Sequence, residues 1–280
     1  MRVIRTVAGL RSWSRGAHKT EALVGLVPTM GALHEGHLSL IRAARTSCGA
    51  VVASIFVNPT QFGPNEDFAL YPRTFEADCE LLESEGVDVV FAPTVEEIYP
   101  PGAATFVEVN GPSSRLDGSS RPGHFRGVAT VVAKLLIASE VDRAFFGQKD
   151  AAQVAVLRRM TADLGLPVEL IVCPIVREND GLAMSSRNRY LNVAERQQAL
   201  VLNSALHTVQ ELVRAGKTRA QELVEAARQV FSSEPAVRVD YITAVDWATL
   251  EPVNEVGPGS LFAVAAWVGT TRLIDNFVVE

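Results

Sequence analysis

The sequence is short of the features that would give it a redox, zinc or membrane role. Its 280 residues include three cysteines, Cys48, Cys79 and Cys173, far apart and without a CxxC pair. Neither a disulfide framework nor a zinc site is indicated, and reduced, buried thiols are expected. No stretch approaches the ~20 unbroken apolar residues that a membrane span requires. Met1 to Trp13 lacks the charged-then-apolar layout of a secretion signal, so a cytoplasmic location is expected. Basic residues are the minority, 26 Lys and Arg against 32 Asp and Glu, for a net charge of −6. Nonspecific nucleic-acid affinity comes from clustered cations, so no nucleic-acid partner is expected. A local cationic site for one small phosphorylated ligand stays open. Histidine is also scarce, at five, yet two of the five fall three residues apart.

What is present suits a globular chain. Hydrophobic residues at 48% and charged residues at 21% permit a packed core, and the length suits two domains. Leu23 to Val27, ended by Pro28, reads as a buried strand, followed by a helix starting near His34–His37. Val51 to Val57 is a β-branched run without helical period, hence a second strand. Thr74 to Glu85 predicts a helix closed by Gly86. Strands over Val87–Ala92, Arg143–Phe146 and Val168–Val172 alternate with helices carrying Val128 to Leu136 and Ala151 to Leu164. Strands alternating with helices predict a Rossmann-like, doubly wound α/β parallel sheet over residues 1–175, whose ligands bind beyond the carboxyl ends of the strands. After Pro174 a polar loop leads to a helix capped by Asn192 with Glu195 three residues on. A second helix is expected from Thr218, with Gln221 in the matching place. Apolar segments at 237–245, 261–268 and 272–279 then complete a smaller α+β domain over 176–280.

The chemistry-bearing residues gather at strand-to-helix junctions. Met30-Gly31-Ala32-Leu33-His34-Glu35-Gly36-His37 follows a strand and opens a helix. There, free N–H groups and the helix dipole attract anions, and both imidazoles stand on one side. Composition alone yields H-x-G-H about 0.006 times in this chain. The zinc-protease helix needs H-E-x-x-H, with its histidines four apart, so phosphate binding is favoured. Gly147-Gln148-Lys149-Asp150 ends a strand and starts a helix; Lys149 suits a phosphate and Asp150 a ribose hydroxyl, although a solvated Lys–Asp pair would explain this segment taken alone. Met184-Ser185-Ser186-Arg187 has the makings of an anion clamp in an inter-domain loop, or of a plain polar linker. Asn58-Pro59-Thr60-Gln61 offers a neutral amide to a polar substrate, or a tight structural turn. Arg121 to Gly127 supplies a further polar contact or simply a helix start.

Taken together, PTMGALHEGH, SIFVNPTQFG, YPRTFEAD, RPGHFRGV, FGQKDAAQ, IVREND and GLAMSSRNRYL resemble the pantoate–β-alanine ligase family of the HxGH nucleotidyltransferase superfamily. The likeness runs from about Leu26 to Leu191 and resumes weakly at DYITAVDWATLEPV and TRLIDNF. It implies an enzyme that joins (R)-pantoate to β-alanine with ATP and Mg²⁺ through a pantoyl-adenylate, releasing AMP and pyrophosphate. It further implies a homodimer with a carboxyl-terminal lid. By the same resemblance Met30 to His37 bind ATP, with His37 catalytic and His34 beside it. Gly147 and Asp150 hold the ribose, Lys149 the phosphates, and the Val176 backbone the adenine. Met184 to Arg187 close on the phosphates, in the place of the KMSKS loop of aminoacyl-tRNA synthetases. Gln61 and Gln153 bind pantoate, and Asn58 with Gln61 faces β-alanine; no protein metal ligand is implied. Phe56, Phe62 and Phe146 flank these motifs and suit pantoate's methyl groups or ordinary core packing. The chain departs from the family pattern at Gln148, Ala152 and Asp117, which replace a frequent Glu, Gln and Glu. Two other readings remain: an adenylyltransferase with a nucleotide-linked product, and a nucleotide sensor without catalysis.

Overall fold

The apolar runs become strands with cover on both faces. In the computed structural model, which describes residues 1–64 and 66–280, six strands form one parallel sheet among the described residues. They are β1 (Arg2–Ile4), β2 (Val24–Thr29), β3 (Ala50–Ile55), β4 (Val89–Phe91), β5 (Arg143–Gly147) and β6 (Glu169–Cys173), in the order β1-β4-β3-β2-β5-β6. Successive residues of a strand point to opposite faces. Leu26 and Val52 therefore join a cluster with Val128, Val132 and Leu157, while Val27, Val51 and Ala53 join another with Ile41, Ala44 and Leu82. The first cluster is closed by helices α1 (Val7–His18), α6 (His124–Ser139) and α7 (Ala151–Asp163); the second by α2 (Glu35–Ser47) and α3 (Phe75–Ser84). Short helices α4 (Val95–Ile98) and α5 (Asp117–Ser120) lie in the long crossover from β4 to α6.

Three local outcomes differ from the sequence reading. β1 and α1 precede the first expected strand. Each signals weakly, because β1 is three residues at a sheet edge and α1 buries only Leu10 and Ser14. Pro28 does not end β2: it pairs in register with Ser54, and the strand continues to Thr29. β5 pairs with β2 only at Gly25 and Leu26, so Pro28 lies where no N–H is required on that side. Thr218 does not cap the next helix. α9 (Ala220–Phe231) starts after Arg219 without a side-chain cap, because the Ala220 amide goes to the Asn254 carbonyl instead.

The helix α8 (Val193–Arg214) begins as expected. Asn192 Oδ1 accepts the Glu195 amide at 2.9 Å, and Glu195 Oε2 accepts the Asn192 amide at 2.9 Å. α8 and α9 cover one face of an antiparallel sheet, β7 (Val237–Asp246), β8 (Ser260–Val268) and β9 (Thr271–Val278). Residues of opposite parity on its strands, Val245, Leu261 and Ala263, belong to the same core cluster as β2 and α6.

The sheet order reverses at β2, whose neighbours are β3 and β5. The loops leaving β2 and β5 therefore face one crevice. Its third wall is the turn Asn58–Gln61, laid directly on α6. That approach requires glycine at position 127, since a Cβ there would stand 2.3 Å from the Thr60 carbonyl oxygen. The Gly127 carbonyl in turn accepts Asn58 Nδ2 at 3.2 Å. Gly127→Ala is expected to destabilise the fold by about 1–3 kcal/mol, the usual range for overpacking a backbone contact; thermal unfolding followed by circular dichroism measures it.

Candidate active site

The loop between β2 and α2 is shaped by backbone conformation and one buried carboxylate. Gly31 and Ala32 both adopt positive φ, +80° and +52°. Their turn is held by Asp78, 2% exposed, whose Oδ2 accepts the Ala32 amide at 2.9 Å and whose Oδ1 accepts the Leu33 amide at 2.8 Å. Thr74 donates a further bond to Oδ2 at 3.2 Å. A Cβ on Gly31 would meet Asp78 Oδ2 at 2.9 Å, so the glycine and the carboxylate are fitted to each other. Asp78 sits four residues before buried Leu82 on α3. A carboxylate on the apolar stripe was the available signal for it, and the sequence reading gave it no role.

The two histidines stand at the start of α2 with ring centroids 4.1 Å apart. A Cβ on Gly36 would lie 2.9–3.0 Å from the His34 ring, so glycine there lets the imidazole lie across the first turn. His37 Nδ1 accepts the His34 amide at 3.3 Å, which puts the proton of a neutral His37 on Nε2. Burial drives the His37 pKa down to about 3, aided by His34 and Lys149. Burial, then Lys149, takes His34 to about 4. Both are thus neutral donors at pH 7, and the cations of the cleft are the lysine and the arginines.

Met30, Gly36, both histidines, Gln61, Gly147, Lys149, Asp150, Gln153, Val176 and Met184 to Arg187 line one cleft of ≈ 1380 Å³, partly open to solvent. Phe56, Phe62 and Phe146 form its apolar wall. Several expected residues act from behind. Ala32 and Leu33 are buried beneath the loop. Glu35 turns outward to pair with Arg42. Gln148 Nε2 bonds Asn276 at 3.3 Å. Asn58 does line the cleft, but it is 1% exposed and its amide is engaged within the protein: Nδ2 donates to Gln61 Oε1 at 3.1 Å, and Oδ1 accepts from Thr60 and Tyr99. Val176, which does line the cleft, accepts the Met184 amide at its carbonyl at 2.9 Å.

Each cation has an acidic neighbour. Arg187 makes two bonds to Asp67, Nε to Oδ2 at 3.0 Å and Nη2 to Oδ1 at 2.9 Å. Arg121 is paired the same way with Glu66 at 2.8 and 2.6 Å. Lys149 Nζ stands 3.9 Å from Asp150, a loose contact. Ser185 Oγ accepts the Arg187 amide at 3.2 Å, and Ser186 Oγ lies 3.4 Å from the Tyr71 hydroxyl. His124 accepts from Arg121 at Nε2 and donates from Nδ1 to the Gln61 carbonyl at 2.8 Å, which fixes the turn bearing Gln61. Burial, followed by the Arg121 charge, lowers its pKa to about 4. Asp67, Glu66 and Tyr71 were missed as parts of the site, because their partners lie far away in sequence, whereas His124 falls in the segment expected to give either a polar contact or a helix start.

His34, His37 and His124 are neutral when folded and titrate near pH 6.5 when unfolded. Unfolding therefore takes up protons between about pH 4 and 6.5, and stability falls as pH falls through that window. The slope is at most about 1.4 kcal/mol per pH unit for each histidine. The urea midpoint is expected to drop from pH 7 to pH 5, and to drop less in His37→Gln.

The family model described as pantoate-beta-alanine ligase matches residues 2–278. A pantothenate synthetase of Koribacter versatilis is 59% identical over 280 residues, covering 100% of this chain and 96% of that one. The crystal structure of pantothenate synthetase from Thermus thermophilus superposes with a TM-score of 0.93 at 47% identity, covering 100% of both chains. A pantoate-beta-alanine ligase from Francisella tularensis, solved in complex with beta-gamma ATP and beta-alanine, gives a TM-score of 0.79 at 34% identity, covering 99% of this chain and 97% of that one. With the HxGH turn, the lysine turn and the serine–arginine loop meeting at one switch point, and with matches that run the length of the chain, this protein belongs to the pantoate–β-alanine ligase family.

Proposed function

We propose that this enzyme activates (R)-pantoate with ATP to a pantoyl-adenylate and passes the acyl group to β-alanine, as a cytoplasmic homodimer. The observation that carries the reading is the pair of neutral imidazoles at the start of α2, lining one cleft with Lys149. Such a set favours a polyphosphate: the ammonium and helix amides attract it, and the imidazole N–H groups donate without adding charge. The donors around the cleft do not fit a protein-held Mg²⁺. Asp150 is the close carboxylate, and among the described residues no group of three or more His, Cys, Asp or Glu could hold a metal ion. Mg²⁺ is taken to enter with the nucleotide, whose phosphates supply oxygen ligands of the kind it favours, and the protein's own groups carry the steps assigned to it.

In the first step pantoate's ionised carboxylate attacks the α-phosphorus. An oxygen–phosphorus bond forms, and the bond to pyrophosphate breaks with its electron pair leaving on pyrophosphate. The protein aligns the reactants and stabilises the leaving charge through Lys149, His34 and His37. Gln61 and Gln153 hold pantoate. Gln61 is steadied for this by Asn58 and by the contact of its Nε2 with Met30 Sδ at 3.1 Å. In the second step the neutral amine of β-alanine attacks the acyl carbon, AMP leaves with the electron pair, and the amine proton passes to solvent. Residues 176–280, including the loop with Ser185, Ser186 and Arg187, act as the cover that keeps water from the mixed anhydride. No helix among the described residues is long and apolar enough to cross a membrane.

An assay of AMP release with each small substrate omitted in turn tests the reaction. Release is expected only with ATP, pantoate and β-alanine together, whereas a stable nucleotide-linked product would favour an adenylyltransferase. ATP binding without pantoate-dependent pyrophosphate exchange would favour a sensor. Lys149→Ala and His37→Ala are each expected to slow adenylation about 10²–10³-fold, the scale of one lost transition-state donor. Asp67→Asn releases Arg187 for the phosphates and is expected to tighten ATP binding about two- to fivefold, the scale of a partly exposed ion pair; calorimetric titration measures it, and weaker binding would mean that Asp67 orients the arginine instead.

A further inference from the structure

The turn that carries Lys149 is held by a residue 127 positions away in sequence. Asn276, on β9, is 3% exposed. Its Nδ2 donates to the Gln148 carbonyl at 3.1 Å and to the Lys149 carbonyl at 2.9 Å, and its Oδ1 accepts Gln148 Nε2 at 3.3 Å. Neither flank of this turn supplies a side-chain cap: Gly147 has none to give, and Asp150 makes no capping bond at the start of α7. Immediately beyond, Trp247 Nε1 donates to the Ala151 carbonyl at 3.1 Å. The carboxyl-terminal sheet and its β7–β8 connection thus bond three carbonyls, at 148, 149 and 151, with only Asp150 passed over.

Asn276 is itself fixed in place. Its amide donates to Asp275 Oδ1 at 2.8 Å, and Asp275, 2% exposed, accepts two bonds from Arg177 at 2.6 and 3.0 Å. Four residues earlier on β9, Arg272 is paired with Asp117 and Asp240. The order Asp275-Asn276 is chemically specific. The guanidinium requires an anion, whereas two carbonyl oxygens require a donor and would be repelled by a second carboxylate.

We propose that Asn276 is a positioning residue for Lys149: the carboxyl-terminal sheet grips the turn by its carbonyls and so sets where the ammonium stands relative to the two histidines. This rests on the function proposed above, and it adds a contribution from β9 to the first chemical step. A residue that merely satisfied a buried sheet edge would lower stability without touching what Lys149 does.

The test combines Asn276→Ala, the isosteric Asn276→Asp, Lys149→Ala and the double variant Asn276→Ala/Lys149→Ala. Two readouts are used: pantoate-dependent ATP–pyrophosphate exchange, and hydrogen exchange of the amides at 147–152 in the ligand-free protein. Each Asn276 variant is expected to lower exchange turnover about 10- to 100-fold, the scale of misplacing a catalytic group by about 1 Å, with the pantoate KM moved less than about threefold. Added to Lys149→Ala, the Asn276→Ala change is expected to cost less than about threefold more, since the positioned group is already gone. Amides at 147–152 are expected to exchange faster while those of β2 and β3 keep their protection. Full multiplication of the two losses, or unchanged protection of the turn, overturns the proposal. Wild-type protein without exchange activity would defeat the proposed function alone, because the amide measurement on folded Asn276→Ala still decides whether Asn276 holds the turn.

Discussion

Asp78 reaches from α3 to the carboxyl end of β2 and accepts the amides of Ala32 and Leu33, and the rest of the cleft is arranged around the turn it holds. A β-strand that runs into a helix must reverse direction in a few residues, and here two successive residues adopt positive φ to do so. That conformation leaves two buried amides without partners, at a cost of about 1–3 kcal/mol each if they stayed unpaired. The carboxylate removes that cost. It also fixes where α2 begins, and with it where His34 and His37 stand.

Charge in the cleft is kept in local balance. The imidazoles are neutral, Arg187 and Arg121 each face a carboxylate, and the Lys149 ammonium has only a loose contact at 3.9 Å. A chain with a net charge of −6 can therefore hold an anion site without a strongly positive surface. Its acidic residues are used close to the site to hold arginines in defined places. Glu66 and Asp67 bring this about from one loop, and His124 carries the arrangement on to the Gln61 turn.

The elements with strong local signals were legible in the sequence. The parallel strands show as β-branched runs, α8 shows as a capping box, and His34 and His37 stand out because histidine is scarce. What could not be read were features decided by partners far away. Thr218 resembles a cap by type and spacing, but the Ala220 amide pairs with the Asn254 carbonyl and the helix starts only after Arg219. Pro28 looks like a strand end, but the sheet needs no donor at that point. Asn58 has the chemistry of a ligand group, and the sequence does not show that its amide also bonds Gln61, Thr60, Tyr99 and the Gly127 carbonyl on α6. Asp78 and Asn276 lie in segments whose likeness to the family was visible, but their tasks are hydrogen bonds to backbone, and such bonds leave no periodicity behind.

The shared core of the two sheets bears on how the protein can move. Val245, Leu261 and Ala263 are buried with residues of β2 and α6, so a wide swing of the carboxyl-terminal sheet would expose apolar surface at about 25 cal/mol per Å². This acts as an elastic restraint. It favours small sliding of packed elements over a wide opening between the two sheets, so that access to the cleft is more cheaply changed by local shifts of its loops than by parting the body of the molecule.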